Sequence, residues 1–157
     1  MGEGAPRRGA VVIDIGSKQP TQREAVVRGR LRMSQAAVRA LQAGTLPKGD
    51  ALGIARAAGV LAAKRTPELI PLCHPIPLSH IAVDFVVDVA EGVVEIEARA
   101  RATAPTGVEM EAFTAAAIAA VTIYDMCKSL DPGAEVVSIA LVRKSGGESG
   151  AWLREES

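Results

Sequence analysis

Cys73 and His74 put a thiol and an imidazole side by side, between Pro71, Pro75 and Pro77 in the run KRTPELIPLCHPIPLSH. Proline fixes its own φ and turns the residue before it away from the helical region. The run therefore reads as a stiff extended loop that holds His74 against a ligand. The plainer alternative is a rigid connector around a buried, satisfied histidine. Asp125 and Lys128 form a second group, three residues apart in TIYDMCK. Asp125 falls late in a helical pattern and inside an apolar run, so both the helix dipole and desolvation are expected to raise its pKa, with Lys128 partly offsetting this. An acid tuned upward beside an amine is what proton transfer near neutral pH requires. An ordinary helix ion pair is the alternative.

Glu109 and Glu111 open the same helical pattern, where carboxylates also suit the positive end of the dipole. At about 100° per residue, Glu111 and Asp125 lie within about 40° of each other, so the helix can present both along one stripe. Lys48-Gly49-Asp50 sits at a helix start and suits a phosphate, without the spacing of a P-loop. Lys144-Ser145-Gly146-Gly147 suits a backbone nest for an anion. Each of these last two reads equally as an ordinary turn. Lysines are few beside arginines, and a retained lysine offers a compact, titratable amine. Lys48, Lys64, Lys128 and Lys144 fall in or beside these stretches, whereas Lys18 stands apart and takes no role. Cys73 and Cys127 read as small core residues rather than nucleophiles.

These groups need a scaffold. Residues 11–15 form a short strand or extended lead-in. From Arg23 to Met33 apolar and polar residues alternate, a half-buried strand whose outer face carries Arg28, Arg30 and Arg32. Ser34 caps a helix over 35–43 that stops at Gly44, and Asp50 caps another over about 51–65, ended by Pro67. Gly53 and Gly59 in that helix permit another backbone to approach. Residues 81–89 and 93–102 alternate around the turn Glu91-Gly92 as an antiparallel hairpin. The longest helical pattern runs from Val108 to Leu130 and is stopped by Asp131-Pro132-Gly133. Residues 136–142 make a last strand before a glycine-rich tail. The order is βα(α)ββαβ, an α+β, ferredoxin-like plan with an antiparallel sheet and helices on one face. Residues 1–10 are expected to be disordered, 11–145 to form one catalytic domain and 146–157 a flexible tail. Val26, Val86 and Val93 on the open sheet face suit packing against a second copy, so an oligomer is expected.

The bulk numbers exclude several classes. Eighteen basic residues balance eighteen acidic ones among 157, so no net field draws the chain to nucleic acid or membrane. The four aromatics are Phe85, Phe113, Tyr124 and Trp152; the predicted strands hold only Phe85, too few for an RNA-stacking sheet. No ligand spacing for a structural zinc site is present. Two distant cysteines, no leader-like start and no apolar run approaching a membrane span give the expectation of a soluble, cytoplasmic protein with reduced thiols.

PLCHP (71–75), TGVEMEA (106–112), TIYDMCK (122–128) and KSGG (144–147), with KGD at 48–50, together resemble one family, molybdenum cofactor biosynthesis protein C, the cyclic pyranopterin monophosphate synthases. The resemblance runs from about Val12 to Gly150. It implies an enzyme, a lyase that takes a cyclised dihydroguanosine triphosphate, rearranges its rings to a pyranopterin, closes a cyclic phosphate and releases pyrophosphate. It implies a ferredoxin-like fold and a hexamer, a trimer of dimers with the site at a dimer interface. It places acid/base chemistry on Asp125, with Lys128, Lys48 and His74 as further catalytic residues. It implies substrate contacts from Leu72, Cys73, His74, Met110 and Glu111, and from Glu109, Lys144 and Arg23. Lys64 and Arg65 match without a role. No resident cofactor or metal is implied; any Mg²⁺ is expected to ride on the substrate phosphates. The competing reading is a non-catalytic ligand-binding module in which Asp125 and Lys128 are only structural.

Overall fold

The computed structural model describes residues 9–156; the expectation of a disordered start falls, for residues 1–8, outside them. Strand β1 (Thr21–Arg32) leads into helices α1 (Gln35–Ala43), α2 (Ala51–Lys64) and the single turn α3 (Thr66–Leu69). The hairpin β2 (Leu78–Asp88) and β3 (Val93–Ala104) follows, then α4 (Glu109–Cys127), β4 (Glu135–Ser145) and a short β5 (Trp152–Leu153). The sheet order is β2-β3-β1-β4-β5, and every pairing is antiparallel. Its first four strands have the ferredoxin-like order.

Local chemistry explains most boundaries. Ser34 accepts a hydrogen bond from the Ala37 amide and caps α1, and Asp50 accepts from the Gly53 amide and caps α2. The chain resumes helix at Pro67, which suits the first turn of α3. Alternation decides the strands: Ala98, Ala100 and Ala102 on β3 are buried, with charged residues between them. The core is built from small side chains, the alanine face of α4 lying on the sheet and on α2. By length and composition α4 could cross a bilayer, contrary to the expectation that no run would. Its apolar residues are spent on this core instead.

Of the two readings of residues 11–15, the lead-in holds, since they form no strand. Two boundaries differ from the sequence reading. Helix α4 stops at Cys127, where the Leu130 and Asp131 amides turn back to the Cys127 carbonyl. Strand β4 runs on to Ser145, so Lys144 is strand, paired with Ala25, and not loop. The stretch beyond it contributes β5.

Of the two glycines expected to admit a neighbour, only Gly59 does so. A Cβ there would lie 2.9 Å from the Ala115 carbonyl oxygen of α4, whereas at Gly53 the space is filled by its own cap, Asp50. Gly59→Ala is therefore expected to destabilise the fold by about 1–3 kcal/mol despite alanine's better helix propensity, a loss readable as a lower Tm.

The open sheet face is a ladder of ion pairs, Arg28 with Glu97 at 3.1 Å, Arg30 with Glu95 at 3.4 Å and Arg32 with Glu135. Glu24 is half-buried between Arg101 and Arg143; desolvation pushes its carboxyl up, but the two guanidiniums hold it below the usual range. Val26 and Val93, expected to face a partner, are already buried within the chain, and only Val86 remains exposed.

Candidate functional site

The candidate residues gather at the two ends of α4. At its C-terminal end the loop before α2 brings Lys48 to Asp125. Lys48 Nζ donates to Asp125 Oδ2 at 2.7 Å, and Lys128 Nζ to Oδ1 at 2.8 Å. The group is half exposed. The two ammoniums, Lys128 first, hold the Asp125 carboxyl down to about 2, and Asp125 in turn raises Lys128. This reverses the expected upward shift. Helix burial is small here, and the second cation comes from 77 residues away. Asp125 is thus a carboxylate clasped between two lysine side chains.

The N-terminal end of α4 holds the rest. The proline-rich loop runs without regular structure, as expected, and sets Leu72, Cys73 and His74 against Glu109 and Met110 around a cavity of about 330 Å³. Glu111 lies beneath, 1% exposed. The Cys73 thiol donates to its Oε1 at 3.8 Å, and Oε2 has no partner among the described residues. Burial, aided by Glu109, raises the Glu111 pKa; burial and Glu111 push the Cys73 thiol up to about 11, so it is an inert donor. Cys127 is fully buried and likewise raised to about 11.

Lys144, fixed by its place on β4, pairs with Glu109 at 3.0 Å. Arg23, at the start of β1, donates to the carbonyls of Ala104 and Pro105 at 3.4 and 3.3 Å. Gly147, at φ 78°, leaves room for the Arg23 guanidinium where a side chain would stand. The KSGG turn therefore wraps Arg23 rather than forming a free anion nest. The α2 amide expected to suit a phosphate beside Lys48, that of Gly53, donates to Asp50 instead.

Glu111 and Asp125 are 14 residues apart on α4, about 21 Å at 1.5 Å per residue. The helical stripe that seemed to unite them ignored the rise along the axis. Within one chain, His74 and Glu111 are not in reach of Asp125. Two larger hollows, of about 1010 and 510 Å³, lie on the open sheet face, where Arg28 and its ladder partners border them and none of the candidate site residues does. Sequence reasoning missed Ile13, Ile15 and Lys18, which wall the His74 cavity. Their only signal was the apolar lead-in ahead of β1.

A profile of the MoaC family matches residues 12–147. Over 146 residues the chain is 54% identical to a cyclic pyranopterin monophosphate synthase of Roseiflexus sp. (strain RS-1), covering 93% of this chain and 92% of that protein. It is 54% identical over 148 residues to the synthase of Chloroflexus aggregans (strain MD-66 / DSM 9485), covering 94% and 90%. To that of Geobacter sulfurreducens (strain ATCC 51573 / DSM 12127 / PCA) it is 52% identical over 147 residues, covering 94% and 92%.

Proposed function

Because the chain belongs to the MoaC family, we propose that it is a cyclic pyranopterin monophosphate synthase of molybdenum cofactor biosynthesis. It converts a cyclised dihydroguanosine triphosphate to cyclic pyranopterin monophosphate and pyrophosphate. The observation that carries the chemistry is Asp125 between Lys48 and Lys128. An ionised carboxylate accepts a proton during ring opening, and a neighbouring ammonium supplies one. Each lysine has three donors, so it can hold Asp125 and a phosphate oxygen together. Attack of a substrate hydroxyl on the α-phosphorus forms the cyclic phosphate ester and breaks the bond to pyrophosphate. The departing charge is met by these cations and by any Mg²⁺ that arrives on the phosphates. At the other end, Leu72 and Met110 offer apolar walls and His74 a proton carrier, over a Glu111 carboxyl buried beneath Cys73 with Oε2 unpartnered among the described residues.

The working site joins two copies, within a hexamer built as a trimer of dimers. A two-fold axis near Ile118, midway between Glu111 and Asp125, would set the Asp125 end of one α4 beside the Glu111 end of its partner. Ile54 and Leu61 on α2 and Val121 on α4 leave apolar side chains about half exposed on the helix layer, which supports such packing. The free thiols Cys73 and Cys127 suit the cytoplasm. The test is incubation of purified protein with the cyclised intermediate. Release of pyrophosphate with an oxidisable, fluorescent pterin is the expected result; a folded sample that yields neither contradicts the assignment and favours a ligand-binding module.

A further inference from the structure

We propose that Tyr124 is a positioning residue: its hydroxyl pins the turn that follows α4 and so holds Lys128 on Asp125. The inference rests on the reading of the Asp125 group as the centre of the synthase chemistry. Tyr124 sits one helical turn before Lys128, and its ring packs against the core. Its hydroxyl reaches past the helix end and donates to the Pro132 carbonyl at 2.9 Å.

Lys48 and Lys128 meet the same carboxylate, but their backbones are held differently. The Lys48 turn closes with the Gly49 amide on the carbonyl of Leu46, whose side chain is buried, and Asp50 caps α2 directly after it. Lys128 begins a turn in which no side chain is buried before Ala134. Its amide makes the last bond of the helix, to the Tyr124 carbonyl at 2.8 Å. A helix end with so little packing opens readily. Asp131 and Tyr124 restrain it. Asp131 accepts from the Ser34 and Gly133 amides at 2.8 and 2.9 Å, which ties the far side of the turn to the start of α1. The Tyr124–Pro132 bond ties the turn back to α4. Apart from the Lys128–Asp125 pair, it is the only side-chain hydrogen bond among the described residues that does so. The phenol also lies close enough to act on the ammonium: Asp125 first, and Tyr124 to a smaller degree, raise the Lys128 pKa. A site that works by holding charged atoms in contact tolerates displacements of only about 0.5 Å, so a loosened turn lowers turnover with little loss of stability.

Tyr124→Phe removes the hydroxyl and keeps the ring. It is expected to lower kcat about three- to tenfold, the worth of one neutral hydrogen bond, with Tm within about 3 °C. In the Lys128→Met background the same substitution should change kcat by less than about twofold, because the group it positions is gone. Gln35→Ala, which removes a comparable exposed bond to the Ala90 carbonyl, should leave kcat unchanged. The Asp125 carboxyl carbon, followed by NMR through an acid titration, should titrate at higher pH in Tyr124→Phe and higher still in Lys128→Met. Unaltered kcat and an unmoved Asp125 midpoint in Tyr124→Phe would overturn the proposal, as would an equal loss of kcat with and without Lys128. A protein without synthase activity in which the Asp125 midpoint still rises with Tyr124→Phe would overturn the assigned reaction and leave the positioning role standing.

Discussion

Asp125→Asn is expected to lower turnover about 10²–10⁴-fold, the usual worth of a positioned acid or base, with little change in the fold. The amide keeps the shape of the carboxylate but cannot accept the proton. The pH profile adds a second handle. With its pKa held down to about 2, Asp125 is ionised at any pH the protein meets, so it sets no acid limb near neutrality. Removing either clamp, by Lys128→Met or Lys48→Met, takes away a hydrogen bond and a charge that favour the carboxylate. The pKa then rises toward the ordinary 3.8. The acid limb of kcat should move up in pH in both variants, measured as turnover against pH. If Asp125 served only as half of a surface ion pair, Asp125→Asn would leave kcat where it was.

Glu111→Gln should make the resting protein more stable and the enzyme worse. Glu111 is buried with one oxygen unpartnered, and its pKa lies above the usual carboxylate value. A carboxyl raised in the folded state favours folding below its unfolded pKa, and that contribution is lost as pH rises through the folded pKa. At pH 8 the folded chain carries the cost of a buried charge, which the neutral amide avoids. The variant is therefore expected to gain about 1 kcal/mol at pH 8, roughly 2–4 °C in Tm for a chain of this size, and to lose that advantage near pH 4. Its kcat/KM should fall at least about tenfold, since the floor of the His74 cavity loses its carboxyl. Thermal unfolding at both pH values and steady-state kinetics check the two halves. A strained or unpaired group that stability alone would remove is what a binding site retains.

Much of this architecture was legible because its signals are local. The caps at Ser34 and Asp50, the alternation through β1, β2 and β3 and the apolar length of α4 each follow from neighbours in sequence. Lys144 was misread as loop because Gly146 and Gly147 follow it, although β1 holds it in the sheet through Ala25. The charge state of Asp125 was misread for the opposite reason. Its helical surroundings point upward, and the decisive partner, Lys48, is remote in sequence. By its neighbours Glu111 read as a carboxylate suited to the positive end of α4, and nothing in them revealed that Cys73 would close over it. Lys18 left no pattern at all; only the fold of the lead-in brings it to the cavity.

The shared site is tested most directly by mixing two crippled enzymes. Asp125→Asn and Glu111→Gln chains, co-expressed or refolded together, form mixed dimers in which one site has both defects and the other has neither. Random pairing makes half the dimers mixed, so activity should recover to about a quarter of the unsubstituted level. A mixture no more active than its two components would place the whole site within a single chain and contradict the account.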